Sequence, residues 1–303
     1  MRFKIIGPLT STLEMDVHPA IFTASMIGYS FVSLSKPDGT HLVKNEIFEL
    51  INKAFDQFVN FFYVYDLIGN TECYVGEAIE SLRDKIILAS KHQGEASKVN
   101  IQEFFSKHCS SLRTDYIDIY FLEYNSITPI EESMMSLKEL LKARKIRSIG
   151  LSGHELNVEL IKKAHAICPV TIVQINHSLW NRTSEQIKIV KLCKRLGITY
   201  LSCASENMTY LPKTVHSFKP ASVEEKKALE GLNKLALQKA VTSEVIEIAW
   251  AIHQNYFLFL NPLTSDTILK TISSSKIKLL PEDITLLNTL FPTNHNHLLP
   301  ERL

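Results

Sequence analysis

A chain of 303 residues with 45% hydrophobic and 21% charged side chains has ample apolar material for a core, and its 10 glycines and 11 prolines are too few for a disordered or fibrous chain. Thirty-three basic against 32 acidic residues leave a formal charge of +1. That balance excludes a global field drawing the molecule onto nucleic acid or an anionic membrane, while leaving a local basic patch open.

No run approaches the roughly 18 consecutive apolar residues of a membrane span. The N-terminal MRFKIIGPLTST lacks the long apolar run and small-residue cleavage site of an export signal. The five cysteines, Cys73, Cys109, Cys168, Cys193 and Cys203, are odd in number, widely spaced and form no CxxC pair. Reduced, structural thiols and a cytoplasmic location are the expectation.

In chain order, eight apolar, β-branched or aromatic runs read as strands: AIFTASMIG (20–28), VNFFYVYD (59–66), KIILASKH (85–92), IDIYFLEYN (117–125), IRSIGLSGH (146–154), VTIVQINHS (170–178), ITYLSCAS (198–205) and FLFLNPLT (257–264). Amphipathic stretches of roughly 11 to 16 residues fill the gaps and read as helices. Thr128, Pro129 and Glu131 predict one helix start with a capping box, and Ser222 with Glu225 predicts another. Buried strands alternating with helices close most naturally into one (β/α)8 TIM barrel over residues 1–303, with a doubly wound open sheet as the alternative. Residues 206–221 form a long irregular connection of the kind used as a lid or binding loop. The tail 292–303 lacks periodicity, and its His295 and His297 read as solvated.

Barrel enzymes place their chemistry at the C-terminal ends of the strands, and there the sequence becomes specific. The stretches NFFYVYDLIGNTECYVGEAI, RDKIILASK, SLRTDYIDIYFLEY, PIEESMMSLKELLKARKIRSIGLS and VQINHSLWNR, followed by AWAIHQN and LPEDITLLNTL, resemble the aldo-keto reductase family in order and spacing over most of residues 45–290. The resemblance implies an α/β barrel that reduces aldehydes and ketones with NADPH. It also implies an Asp, a Tyr, a Lys and a His at the mouth: the Tyr as general acid, the Lys lowering its pKa, the Asp holding the Lys and the His orienting the carbonyl. Carried over position by position, Tyr63 stands in place of the Asp and Ile68 in place of the acid Tyr. Lys91 matches the Lys, and Glu123 stands in place of the His. Isoleucine has no proton to give. Loss of a general acid costs about 10²- to 10⁴-fold in rate, or roughly 3 to 5 kcal/mol of barrier. Tyr63 or Tyr65 is left as a substitute donor.

On the cofactor side, Ser152 and Gln174 match family residues that hydrogen-bond the nicotinamide amide, whereas Gly153 stands where an Asn or Glu is common. Cys203, Ala204, Ser205, Glu206 and Asn207 replace the stacking Tyr and the SPLG that follows it, and Glu206 brings a negative charge near the expected pyrophosphate. In the last βα unit, Leu263, Thr264, Ser265 and Asp266 replace a Gly-Thr with its basic residues, Leu269 takes the Arg position and Ser273 the Asn position. Each lost charge-assisted bond forfeits about 1.5 to 3 kcal/mol, so NADP(H) affinity is expected to be largely gone.

Tyr63, Lys91 and Glu123 are expected on consecutive strand ends around one mouth, with His154 or His177 reaching the same space. Lys91 and Glu123 read either as an ion pair filling an abandoned site or as a base or Schiff-base nucleophile with its proton-transfer partner. A neighbouring carboxylate favours a charged lysine and opposes the second role. His177 reads as a packed histidine, and His92 and His154 lack metal-ligand spacing, so no metal is expected. Three functions remain open. The first is a retired barrel binding a small molecule or a protein partner, with no nucleic acid and no membrane. The second is a lyase or isomerase acting through Lys91 and Glu123 on a carbonyl or sugar-like substrate. The third is an NADP(H)-dependent oxidoreductase with a non-standard proton donor. A mouth plugged by Phe218 or Tyr210 would favour an interaction protein.

Overall fold

The computed structural model describes residues 12–17, 20–31, 41–65, 70–203, 222–260 and 264–293. Eight of its strands are β3 (Ile27–Phe31), β4 (Phe61–Val64), β5 (Ile87–His92), β6 (Ile117–Glu123), β7 (Ile146–Ser152), β8 (Ile172–Asn176), β9 (Thr199–Cys203) and β10 (Phe257–Leu260). All neighbours among them are parallel, and they close in the order β10-β3-β4-β5-β6-β7-β8-β9. Outside lie α1 (Lys44–Asp56), α2 (Thr71–Ile79) with a 3-10 turn at Glu80–Lys85, α3 (Lys98–Ser111), α4 (Ile130–Lys142), α5 (Val158–Ile167) and α6 (Ser184–Leu196). They are followed by α7 (Val223–Gln238), α8 (Ser243–His253), α9 (Ser265–Ser274) and α10 (Pro281–Leu290). The barrel is the closed form of α/β expected from the sequence.

The first predicted strand divides. Ala20–Ser25 is β2, paired antiparallel with β1 (Thr12–Val17), and the barrel begins only at Ile27. Ser25 makes the break. Its amide donates to Asn60 Oδ1 at 2.8 Å and its hydroxyl to the Ile27 carbonyl at 2.7 Å, diverting groups that a continuous ladder would use. Ala24 and Met26, flanking it, are buried in the same apolar cluster as Phe61, Ile87 and Phe257 and so fill the N-terminal end of the barrel.

Strand periodicity sets the interior. Phe61 and Tyr63, Ile87 and Ala89, Ile119 and Phe121 face inward with Phe257 and Phe259. Phe259 stacks on Tyr63 at 5.0 Å between centroids and meets Phe61 at 4.6 Å, while Phe121 stands edge-on to Tyr63 at 5.9 Å. Phe121 fits because its β7 neighbour is Gly150, where a Cβ would lie 2.4 Å from the ring. Outward residues pack under the helices.

Asp118, fully buried on β6, accepts the Leu88 amide at 2.9 Å and ion-pairs with Arg83 at 2.8 Å and Arg147 at 2.9 Å. Both guanidinium groups lie over Tyr116, at 3.8 and 4.3 Å. The expected cap at Ser222 forms, its hydroxyl accepting the Glu225 amide at 3.1 Å. The one at Thr128 does not. Its hydroxyl accepts the Ala96 amide at 3.0 Å, which ties the loop after β6 to the one after β5, and α4 starts without a side-chain cap. The expected lid at 206–221, with Tyr210 and Phe218, and the tail beyond 293 lie outside the described residues, as do Ile68, Glu206 and Leu263.

Candidate functional site

Lys91 is the fifth residue of β5 and Glu123 the last of β6, and the register pairs Lys91 with Phe121, two residues before Glu123. Both positions therefore point into the barrel at its C-terminal end. Their charges meet, Nζ lying 2.8 Å from Oε2, with 14% of the lysine and 21% of the glutamate side chain exposed. The pair is mutually neutralised and mostly, though not wholly, out of water.

Tyr63 does not share that space. It pairs in register with Ala89, two residues before Lys91, and sits one layer deeper with no exposure, against Phe259 and Phe121. Tyr65 takes the mouth position instead: its ring lies 5.3 Å from the Lys91 ammonium, and its hydroxyl donates to Gln93 Oε1. Lys91 thus meets the face of this ring, while the phenol is bonded to the amide of Gln93. Gln93 is a mouth residue that the sequence reading missed. Nothing in a strand pattern marks a side chain just beyond the strand's end.

Ser152, at the end of β7, is buried and donates to the Leu122 carbonyl at 3.4 Å, and Gln174 on β8 is buried as well. Next to Ser152, Gly153 has φ of +125°, and a Cβ there would lie 2.4 Å from the Tyr124 carbonyl oxygen. No other residue fits this backbone. Following β10, Asp266 is exposed in the first turn of α9 and Leu269 is 43% exposed one turn on, while Ser273 donates to the Lys270 carbonyl of its own helix at 2.6 Å.

The histidines go elsewhere. His92 is buried beneath α3, edge-on to Phe104 and bonded through Nε2 to the Glu95 carbonyl at 2.9 Å. His154 is exposed on the loop after β7. His177 is buried in an aromatic cluster behind β8 and β9, stacked at 14° on Trp250 and edge-on to Tyr200 and Tyr256. Burial, helped by Arg182, lowers its pKa to about 4. Beside this cluster, Glu247 of α8 accepts the Trp180 indole N–H at 3.1 Å, and burial pushes its pKa up to about 8. Burial also raises the thiols of Cys109 to about 11 and Cys193 to about 12. Among the described residues no group of three or more His, Cys, Asp or Glu side chains is placed to hold a metal ion, and no helix is long and apolar enough to cross a membrane.

A closed parallel barrel with polar groups gathered at its C-terminal mouth is an enzyme-type scaffold. The family model of the Aldo/keto reductase family matches residues 32–291, and the chain belongs to that family. A probable aldo-keto reductase from Glycine max is 35% identical over 192 residues, 58% of this chain, and the chain spans about half the length, 54%, of that relative. Three solved structures share the fold. An aldo-keto reductase from Klebsiella pneumoniae in complex with NADPH has 18% identity, a TM-score of 0.76 and coverage of 93% of this chain and 96% of its own. The glycerol dehydrogenase of Gluconobacter oxydans has 17%, 0.75, 92% and 94%. The holo form of a Bacillus halodurans aldo-keto reductase has 19%, 0.75, 93% and 96%.

Proposed function

We propose that this chain is an aldo-keto-reductase barrel that has lost the standard NADPH-dependent reduction of carbonyls and serves as a binding module, its mouth taking a small molecule or a segment of a partner protein. The observation that carries this reading is the Lys91–Glu123 ion pair. In the reaction that the family resemblance implies, the lysine must act on a phenol that gives a proton. Here the lysine is held by a carboxylate, the phenol of Tyr65 donates to Gln93, and Tyr63 lies a layer below.

The described residues also fit a nicotinamide dinucleotide poorly. Ser152 and Gln174 are the two groups left to meet the amide, and both are buried. Gly153 leaves no room for a third side chain, Asp266 sets a negative charge in the first turn of α9, and Leu269 offers no cation to a phosphate. The same carboxylate argues against a lyase or isomerase, because at 2.8 Å it occupies the Lys91 Nζ that a nucleophilic amine would have to turn toward a substrate.

Titration of NADPH and NADH into the protein, followed by the fluorescence of Trp180 and Trp250 and by calorimetry, tests the reading. No saturable binding at millimolar cofactor is expected. Micromolar binding would overturn it and return Tyr65 to consideration as the proton donor.

A further inference from the structure

The sequence SEQIKIVKLCKRL of α6 divides by helical phase. Ile189, Leu192 and Cys193 are buried, whereas Lys188, Lys191, Lys194 and Arg195 fall within one exposed face. This face forms one wall of an open groove of about 1060 Å³, and the N-terminal turn of α5, with Asn157 and Val158, forms the other.

The groove holds four cations and two carboxylates, Glu159 and Glu185, a surplus of two positive charges where the whole chain carries one. The carboxylates are also spoken for locally. Glu185 pairs with Lys188 at 3.2 Å, and Glu159 with Lys162 on the adjoining surface at 2.7 Å. Lys191, Lys194 and Arg195 have no acidic partner among the described residues. The helix dipole accounts for cations in the last turn of α6, but not for Lys191 and Lys188 further up the same face.

We propose that this groove docks an acidic, amphipathic segment of a partner protein. Charge complementarity supplies the sign of the partner. Val158 and the methylene stems of the lysines give the groove an apolar lining beneath its charged rim, which suits a segment carrying apolar anchors between its carboxylates. Nucleic acid fits less well. Among the described residues no aromatic side chain lines the groove to stack a base, and Glu159 and Glu185 would oppose a continuous row of phosphates. The site lies outside the barrel, so it stands whether or not the mouth retains a reaction.

The probe is a fluorescein-labelled peptide of repeated Glu-Leu-Glu-Glu, followed by anisotropy against the full chain. Saturable binding is expected, weakening as salt rises from about 50 to about 300 mM. The triple variant Lys191→Glu, Lys194→Glu, Arg195→Glu changes only exposed residues, and circular dichroism will check that it keeps its fold. It should bind about tenfold more weakly. A control, Lys226→Glu with Lys227→Glu on the exposed face of α7, should bind as the parent does. Three results would overturn the proposal: no saturable binding by the parent, equal weakening in the control, or tighter binding of a single-stranded oligonucleotide that the triple variant abolishes.

Discussion

Glu247→Gln should stabilise the protein, and increasingly so as pH rises above about 4.5. Glu247 is 3% exposed, and the Trp180 indole N–H supplies its hydrogen bond at 3.1 Å. Burial lifts its pKa from the ordinary 4.5 to about 8. Between those values the folded chain keeps a proton that the unfolded chain has lost, so stability is whole below pH 4.5 and falls as pH rises to about 8. Each pH unit in that window is worth about 1.4 kcal/mol, which sums to about 5 kcal/mol. His177 works the other way: its pKa of about 4, against an ordinary 6.5, removes stability as pH falls from 6.5 to 4. The two slopes cancel between pH 4.5 and 6.5, which leaves pH 6.5 to 8 as the window in which Glu247 acts alone. There the parent should lose about 2 kcal/mol, or about 4 °C in Tm. The glutamine variant keeps an acceptor for Trp180 but does not titrate, so its stability should be flat. Urea denaturation at pH 6.5, 7.2 and 8 measures both slopes. A variant whose stability falls with pH as steeply as the parent's would refute the assignment.

Removing either partner of the mouth pair, by Lys91→Met or Glu123→Gln, should cost about 1 to 3 kcal/mol. That lies between the values for exposed and for buried pairs, because both side chains are partly in water. The double variant should cost less than the sum, and a thermal-denaturation cycle showing strict additivity would mean that the two charges do not support each other. Asp118→Asn leaves Arg83 and Arg147 without a buried counter-charge and should cost about 3 to 5 kcal/mol. A loss under about 1 kcal/mol in urea denaturation would show that the cluster is not what joins β5, β6 and β7.

Seven of the barrel strands were legible because each is a continuous apolar run bounded by polar residues, the mark of a strand covered on both faces. The eighth was not, because AIFTASMIG is equally apolar on either side of Ser25, and only the contact of that residue with Asn60, 35 positions away, divides it. Lys91 and Glu123 could be paired in advance since each lies at the inward end of a neighbouring strand. The sequence pattern places Tyr63 one layer too high. Its place depends on the stagger between β4 and β5, which pairs it with Ala89 and brings Tyr65 to the level of Lys91. Thr128 carried a correct local cap signal that a tertiary partner, the Ala96 amide, outbid. Glu247 also carries a sequence signal: in SEVIEIAWAIH it is the one charge with apolar residues on both sides, on a helix buried over most of its circumference.

The two charged clusters of the barrel explain why the fold was easier to read than the activity. Asp118 lies low on β6 with no exposure, holds two arginines and a backbone amide, and so cannot change without loosening three strands. Lys91 and Glu123 lie at the other end of the same two strands, partly in water, where the cost of substitution is smaller. The mouth can therefore exchange its chemistry while the lower barrel keeps its shape, and a family resemblance carried by SLRTDYIDIY speaks for the scaffold and not for the reaction. The mouth is set by a few residues at the strand ends, and those partly in water are the cheaper ones to substitute. At this mouth Lys91 is held by Glu123, Tyr65 is bonded to Gln93, and the backbone at Gly153 admits no side chain.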